Sequence, residues 1–496
     1  MVTKNYLIFD FGASNGRAVV GRYDGKKFSL EVTHRFDNRP VYATGTLYWD
    51  VLRLFSELKI GISLSKKTFN TIESLGIDTW GVDFGLFDKN GKLLSNPHHY
   101  RDEARLKAAD FVHQDFSPEE LFLLTGSLIL PIGGLYHLYD LKIGNSIALA
   151  NANKLLMMPD IFNYFLTGNM YNEFTDATTS LIYDQKNKRW SDEILNKLGL
   201  SKSLFPEIIQ PGTKVGNLQK DVVNELEIDP ITVIAPASHD TASAETGIPV
   251  VDYKKNWAFV SMGTWLVSGV EITEPIINVD VFKSGYANEG GCEGRTLFVK
   301  NINGLWVIQQ CMEKWRKDAS DNIPWSDIDK IYPLAKPFNA FIDVDDPVFV
   351  PPSPDMPKVV ANYCKQKGQN VPEGIGEISR CFYESLVLKI RYNTEQLEKL
   401  TGKKIELMQL VGGGTNNKLM CQWVSDALGI PIAAGPTETT AIGNLIMQLK
   451  GTGEIKDVNE GRQICLNSFD ILRYEPNIKD KSNWDLAYEK YLKLIS

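Results

Sequence analysis

Two distant stretches of this chain repeat one plan. "NYLIFDFGASNGRAVVGRY", near the start, and "WAFVSMGTWLVSGVEI", from Trp257, each read as an apolar strand, a Gly-containing turn and a second strand. The later copy leads into a regular alternation. Strand "IELMQLVGGG", helix "NKLMCQWVSDALG", strand "IPIAAG" and helix "ETTAIGNLIMQLKG" follow one another. A duplicated strand–turn–strand theme followed by such alternation predicts an α/β fold built twice. At 496 residues the chain also exceeds what one hydrophobic core supports. The expected division is a first domain over 1–245, a second over 246–465, and a terminal segment 466–496 packing back on the first.

Between the hairpins, "DVLRLFSELKIGISLSKK" reads as a helix and "TIESLGIDTWGVDFGLFD" as a strand pair around Gly81. "PDIFNYFLTG" starts a helix on proline and stops it at Gly168. In the second half "NGLWVIQQCMEKWRK" is an amphipathic helix. Ile378, Phe382, Leu386 and Ile390 fall at helical spacing and predict a buried stripe. "SPDMPK" and "QKGQNVPEG" read as surface loops.

A net charge of −8 argues against nucleic acid or an anionic membrane surface as partner. No apolar run reaches the roughly 20 residues of a membrane span, and "MVTKN" leading straight into a strand is not a signal peptide. The six cysteines lie far apart with no C-x-x-C, and the six histidines show no metal spacing. A soluble, cytoplasmic protein with reduced, mostly buried thiols is expected.

The tripeptide Asp-Phe-Gly occurs at Asp10 and again at Asp83. In protein kinases it binds magnesium, but only downstream of a Gly-rich loop, a strand lysine and a catalytic H-R-D. No room exists upstream of Asp10 for these, and Tyr100-Arg101-Asp102 follows the second copy rather than preceding it. Neither a Walker A loop nor a G-x-G-x-x-G is present, so the protein-kinase reading fails. The Asp10–Arg17 turn does suit phosphate. Its backbone N–H groups can converge on anionic oxygens, Ser14 and Asn15 add donors, and Arg17 adds a cation. Asp10 would face a metal ion bridging the phosphates. A plain hairpin turn explains such a stretch about as often. The second copy at Ser261–Thr264 and the Gly-rich turn Gly412–Gly414 favour an ATP cleft between duplicated domains.

The ordered set "DFGASNGR", "GIDTWGVDF", "YRD", "LLMMPDIFNYFLTG", "ASHDTASA", "SMGTW", "NEGGCEGR", "KNINGLW", "VGGGTNN" and "AGPTETTAIGN" resembles the FGGY carbohydrate kinases nearly end to end. The resemblance implies two ribonuclease-H-like domains of the actin/hexokinase/Hsp70 superfamily around an ATP cleft. It implies in-line phosphoryl transfer from ATP, with Mg²⁺, to a sugar hydroxyl. L-rhamnulose is the first expected acceptor, giving the 1-phosphate, and L-fuculose or another ketose the alternative. Chaperone-like or non-catalytic sensor roles are disfavoured by "GIDTWGVDF", "SHDTAS" and the retained Asp10 and Asp240.

Carried over residue by residue, the resemblance puts the catalytic base at Asp240, where a helix-capping Asp is the alternative. His239, Thr241 and Gly81 are expected to contact the sugar, with Asp83 beside them as a hydroxyl partner or a turn residue. Asn301 is a further substrate contact. The nucleotide falls to Ala13, Ser14, Asn15, Gly16, Arg17, Thr264, Gln309 and Gly413, and the metal to Asp10. Trp80 could stack on the sugar or lie in the core, and Arg101 and Asp102 match a polar motif near the sugar. Asn416 and Asn417 could cap a helix or meet adenine. The paired cysteines of some family members are not matched at Ser425 and Leu428, so no disulfide is implied. Sugar and ATP are the expected partners, and the protein a monomer or homodimer.

Overall fold

The apolar run "YLIFDF" makes sense once its neighbours are known. In the computed structural model, which describes residues 3–319 and 323–496, it forms β1 (Lys4–Phe11) deep inside a six-stranded sheet. Tyr6, Leu7, Ile8 and Phe9 are fully buried, as expected of a strand covered on both faces. β1 pairs antiparallel with β2 (Asn15–Tyr23), and β2 pairs antiparallel with β3 (Phe28–Asp37). On its other side β1 runs parallel to Ser74–Thr79, which runs parallel to Thr232–Ile234; Lys214–Asn217 closes the sheet antiparallel.

The second hairpin repeats this order and sense. Trp257–Met262 pairs antiparallel with Trp265–Ile272 and parallel with Leu407–Val411. Leu407–Val411 is parallel to Ile432–Ala434, which is antiparallel to Leu472–Tyr474. The duplication read from the two hairpins is thus a duplication of whole sheets.

Each sheet buries its faces under helices. In the first unit, α1 (Val51–Thr68) starts at Asp50, whose side chain accepts from the Arg53 N–H. It lies so close to the sheet that a Cβ on Gly61 would sit 2.7 Å from the Phe9 ring. The helix Met158–Thr167 begins with proline in its first turn and ends at Gly168, φ 78°, as its sequence predicts. In the second unit, the helix Gly374–Thr401 buries Ile378, Phe382, Leu386 and Ile390. Trp484, on Ile478–Ile495, packs against Phe338 and Trp423 at ring separations of 4.9 and 5.9 Å.

By internal contact the first unit comprises Met1–Pro249, Glu271–Phe298 and Glu438–Phe469, and the second Val250–Val270, Val299–Thr437 and Asp470–Ser496. The helix Thr439–Gly451 therefore covers the first sheet. Gln448 Nε2 donates to the Leu7 carbonyl (3.0 Å), Ser74 Oγ to Gln448 Oε1 (2.7 Å), and Asn444 Nδ2 to Asp78 (2.6 Å). From Asp470 onward the chain groups with the second unit, not with the first as expected for 466–496.

Two local expectations are corrected. The strands Ser74–Thr79 and Phe84–Phe87 do not pair with each other; Phe84–Phe87 pairs with Lys154–Met157, because the turn between them redirects the chain. "SPDMPK" is no loop beyond Asp355, which caps the helix Met356–Gln366. All six cysteines are free and buried, and among the described residues no helix is long and apolar enough to cross a membrane.

Candidate active site

The β1–β2 turn is held from outside itself. Asn38, 2% exposed, donates from Nδ2 to the Gly12 carbonyl (2.8 Å) and from its backbone N–H to the Ser14 carbonyl (3.0 Å). Ser14 and Asn15 face solvent and Ala13 is half-buried. Gly16 is buried for a different reason than phosphate approach, since a Cβ there would lie 2.3 Å from the Phe36 ring. Arg17 is not a free fork either. Its Nε and Nη2 donate to Asp10 Oδ2 at 3.0 and 2.7 Å, and its Nη1 pairs with Glu438 at 2.5 Å. The turn thus offers Ala13–Asn15 outward, with Asp10 oriented by Arg17 behind it.

Asp240 is the first residue of the helix Asp240–Thr246, and His239, not Asp240, stands at the cap position. Solvent reaches Asp240, whose side chain is 36% exposed, while Oδ1 lies 3.4 Å from Thr241 Oγ1. Burial raises its carboxyl above the usual carboxylate range; the His239 charge opposes this and Asp10 adds to it. Asp78, beside Asp10 in the sheet register, is fully buried. Burial, with Asp10 and Asp240 nearby, pushes its carboxyl well above the usual range. His239 Nε2 is 3.5 Å from Asp240 Oδ1 and its Nδ1 is 3.4 Å from Glu289 Oε2. Burial alone would lower the His239 pKa, but Glu289, Asp240 and Asp176 outweigh it and lift it to about 9.

The Ser238–His239 backbone is itself pinned. Glu173 Oε2 accepts from the Ser238 N–H (3.1 Å) and from Thr175 Oγ1 (2.5 Å), while Thr175 Oγ1 accepts from the His239 N–H (3.1 Å). The Thr79 N–H donates to the Ser238 carbonyl (2.9 Å). Glu173, Glu289 and Asn38 were not among the residues singled out from sequence. Each belongs to an element remote in the chain, and only "NEGGCEGR" marked one of them as part of a motif.

The "WGVD" turn is a correction. Asp83 is fully buried and already occupied: Oδ2 accepts from Trp49 Nε1 (2.6 Å) and Trp80 Nε1 (3.0 Å), and Oδ1 pairs with Arg105 (2.5 Å). It anchors a buried network and presents no oxygen to a ligand. Trp80 is in the core, its ring 4.0 Å from that of Trp49. Gly81 makes room for Thr179, whose Oγ1 would lie 2.7 Å from a Cβ there. Val82 holds φ 71°, a strained conformation for a β-branched residue, and its N–H donates to that Oγ1 (2.8 Å). Asp102 caps the helix Glu103–Asp115 through the Ala104 N–H, and Arg101 is exposed.

In the second unit, Thr264 Oγ1 donates to Gln309 Oε1 (3.1 Å), joining the hairpin turn to the helix Trp306–Ala319. The Leu305 and Trp306 N–H groups donate to the Gly263 and Thr264 carbonyls (3.1 and 3.2 Å). Gly412, at φ 83°, and Gly414 pack on Met262, whereas Gly413 is exposed and a Cβ there would meet nothing. Asn301 is half-buried on Thr296–Asn303. Asn417 is a cap, accepting from the Met420 N–H and from Tyr332 Oη, and Asn416 is exposed.

In the first unit these groups suit chemistry at a hydroxyl: a solvent-accessible carboxylate at a helix start, an imidazole beside it, and a turn whose Ser14 and Asn15 face solvent. Among the described residues no three acidic, His or Cys side chains converge to hold an ion alone. Asp10, whose Oδ2 accepts from Arg17 Nε and Nη2, is the carboxylate that the sequence offers to a metal ion.

Residues 5–247 match the N-terminal domain, and 258–451 the C-terminal domain, of the FGGY family of carbohydrate kinases. A protein named rhamnulokinase from Bacteroides thetaiotaomicron is 37% identical over 98% of this chain and 98% of its own length. Another of that name, from Enterococcus faecalis, is 36% identical over 99% and 98%. The fold is shared with a xylulose kinase from Lactobacillus acidophilus, with a TM-score of 0.82 at 17% identity over 99% and 97% of the two chains. Matched in both halves and so similar to relatives over nearly its whole length, the chain belongs to the FGGY family of carbohydrate kinases.

Proposed function

We propose that this carbohydrate kinase transfers the terminal phosphoryl group of ATP, with Mg²⁺, to the O1 hydroxyl of L-rhamnulose in the cytoplasm. The observation that carries the reading is the Asp240 carboxylate, solvent-accessible, raised in pKa and flanked by His239 and Thr241. The names of relatives more than a third identical supply the sugar. Asp240 orients the hydroxyl and accepts its proton late in a loose transition state, while ATP with its metal supplies the transferable phosphoryl group. His239 and Thr241 hold sugar hydroxyls, with the Gly81 backbone beside them. Asp10 serves the metal, and Ala13, Ser14 and Asn15 meet phosphate oxygens, with Gly16 and Arg17 shaping that turn. Thr264, Gln309 and Gly413 serve the nucleotide, and Asn301 the substrate.

The test is kcat/KM for L-rhamnulose, L-fuculose, L-xylulose, D-fructose and glycerol, with product position assigned by NMR. L-rhamnulose is expected to lead. Analogues that leave hydroxyl-binding groups unpaired should lose up to ~10⁴, whereas a missing methyl costs only about 10–200-fold. Preference for L-fuculose would overturn the sugar, and preference for glycerol the deoxyketose assignment.

A further inference from the structure

His239 sits between two carboxylates. Glu289 Oε2 lies 3.4 Å from Nδ1, and Asp240 Oδ1 lies 3.5 Å from Nε2. A neutral imidazole has one N–H and one lone pair, so one of its nitrogens would turn a lone pair toward a carboxylate. Only the imidazolium presents N–H to both. His239 Nδ1 and Glu289 Oε2 are both buried and without another hydrogen-bond partner among the described residues.

Glu289 is also placed with some rigidity. It lies on the short strand Ala287–Gly290, where its neighbours are fixed: the Asn288 N–H donates to the Gly126 carbonyl (2.9 Å) and the Gly290 N–H to Thr178 Oγ1 (2.8 Å). A Cβ on Gly290 would lie 2.9 Å from the Phe174 ring, so the strand is pressed against the segment that carries Glu173 and Thr175. Two more buried acids lie on the segment that pins His239, and Asp176 adds to the field that stabilises its charge. Burial holds the Asp176 carboxyl well above its usual range and pushes Glu173 up to about 7. Among the described residues, Glu289 and Asp240 are the carboxylates that lie within 3.5 Å of the ring nitrogens.

We propose that Glu289 is a positioning residue of the phosphoryl-transfer site: it keeps His239 doubly protonated, so that the Nε2–H of the imidazolium faces Asp240 and holds it ionised. This rests on Asp240 being the base. It removes His239 as a rival base, because a ring already carrying both protons cannot accept the hydroxyl proton. It also resolves a conflict at Asp240, where burial favours the neutral acid while catalysis needs the carboxylate.

The full chain labelled with 15N-histidine tests this, the His239 ring signals being assigned by their loss in His239→Asn. Wild-type His239 is expected to titrate near 9. In Glu289→Gln the midpoint should fall by at least about one unit toward the ordinary imidazole value, and Glu289→Asp should restore most of the difference. The basic limb of the kcat/KM–pH profile should move down with it, with the KM for ATP unchanged. A wild-type ring that titrates near 6.5 overturns the proposal even if Glu289→Gln does not fold, as does an unmoved midpoint in a folded variant. The base assignment fails separately: Asp240→Asn with full turnover would sink it, whatever shift Glu289→Gln produces in the ring titration of the otherwise wild-type chain.

Discussion

A carboxylate serves as a general base when it is ionised at working pH yet basic enough to take a proton, and the surroundings of Asp240 push in that direction. Asp240→Asn keeps the shape and removes the basic oxygen. Turnover is expected to fall by roughly 10²–10⁴, with thermal unfolding and sugar affinity nearly unchanged, as steady-state kinetics beside calorimetry will show. The group must be ionised, so activity in the wild type should be lost as pH falls through its raised pKa, and that acid limb should vanish from the residual rate of Asp240→Asn. Asp240 could be singled out from sequence because it lies inside one contiguous motif, "SHDTAS". Glu173 and Glu289 could not, because a buried acid that acts through a distant backbone or ring leaves no local pattern. Asp83 misled for the converse reason: its sequence neighbours look like a pocket edge, while its partners Trp49 and Arg105 come from elsewhere in the chain.

At the scale of elements, the helix that carries Asp240 meets Thr439–Gly451 backbone to backbone. A Cβ on Gly443 would lie 1.8 Å from the Ser243 carbonyl oxygen, and one on Gly247 would lie 2.2 Å from that of Thr439. Alanine at Gly443 gains about 1 kcal/mol of helix propensity, yet the carbonyl cannot yield without moving a helix. Gly443→Ala is therefore expected to destabilise by about 1–3 kcal/mol or more in urea, and to lower kcat by shifting Asp240. An unchanged midpoint would mean that the crossing can loosen freely. A second element-scale test lies in the Thr264 turn, where Thr264→Val removes a hydroxyl bonded to Gln309 but keeps the shape. Nucleotide affinity should weaken about tenfold, in line with a hydrogen bond worth 0.5–1.5 kcal/mol, while calorimetry with sugar alone shows little change. The hairpins and helices were readable because 2- and 3.6-residue periods are local. Which strand Phe84–Phe87 would join was not, since partner choice depends on Val82 turning the chain away.

The whole molecule is organised by a return of the chain that periodicity cannot report. The helix Thr439–Gly451 follows the strand Ile432–Ala434 of the second sheet but covers the first, and the chain then rejoins the second sheet at Leu472–Tyr474. Its apolar residues look the same whichever sheet they cover, so a boundary near 465 was a natural reading of the sequence. The structure makes the return testable, because polar groups buried in the first sheet depend on it. The Asp78 carboxyl accepts from Asn444, and Ser74 and the Leu7 carbonyl both meet Gln448. Gly21 is packed under Leu445, with 2.9 Å between a Cβ there and the Leu445 methyls. A fragment ending at 249 would open that face to solvent and leave an apolar patch beside the Asp78 carboxyl. It should therefore lack near-UV circular dichroism and cooperative urea unfolding while retaining some secondary structure. A peptide spanning 438–469, added in trans, should restore slow amide exchange in β1 and Ser74–Thr79. Cooperative folding of the short fragment by itself would show that the returning helices cap a unit already stable, and that the crossing at Gly443 serves only to set the angle of the Asp240 helix.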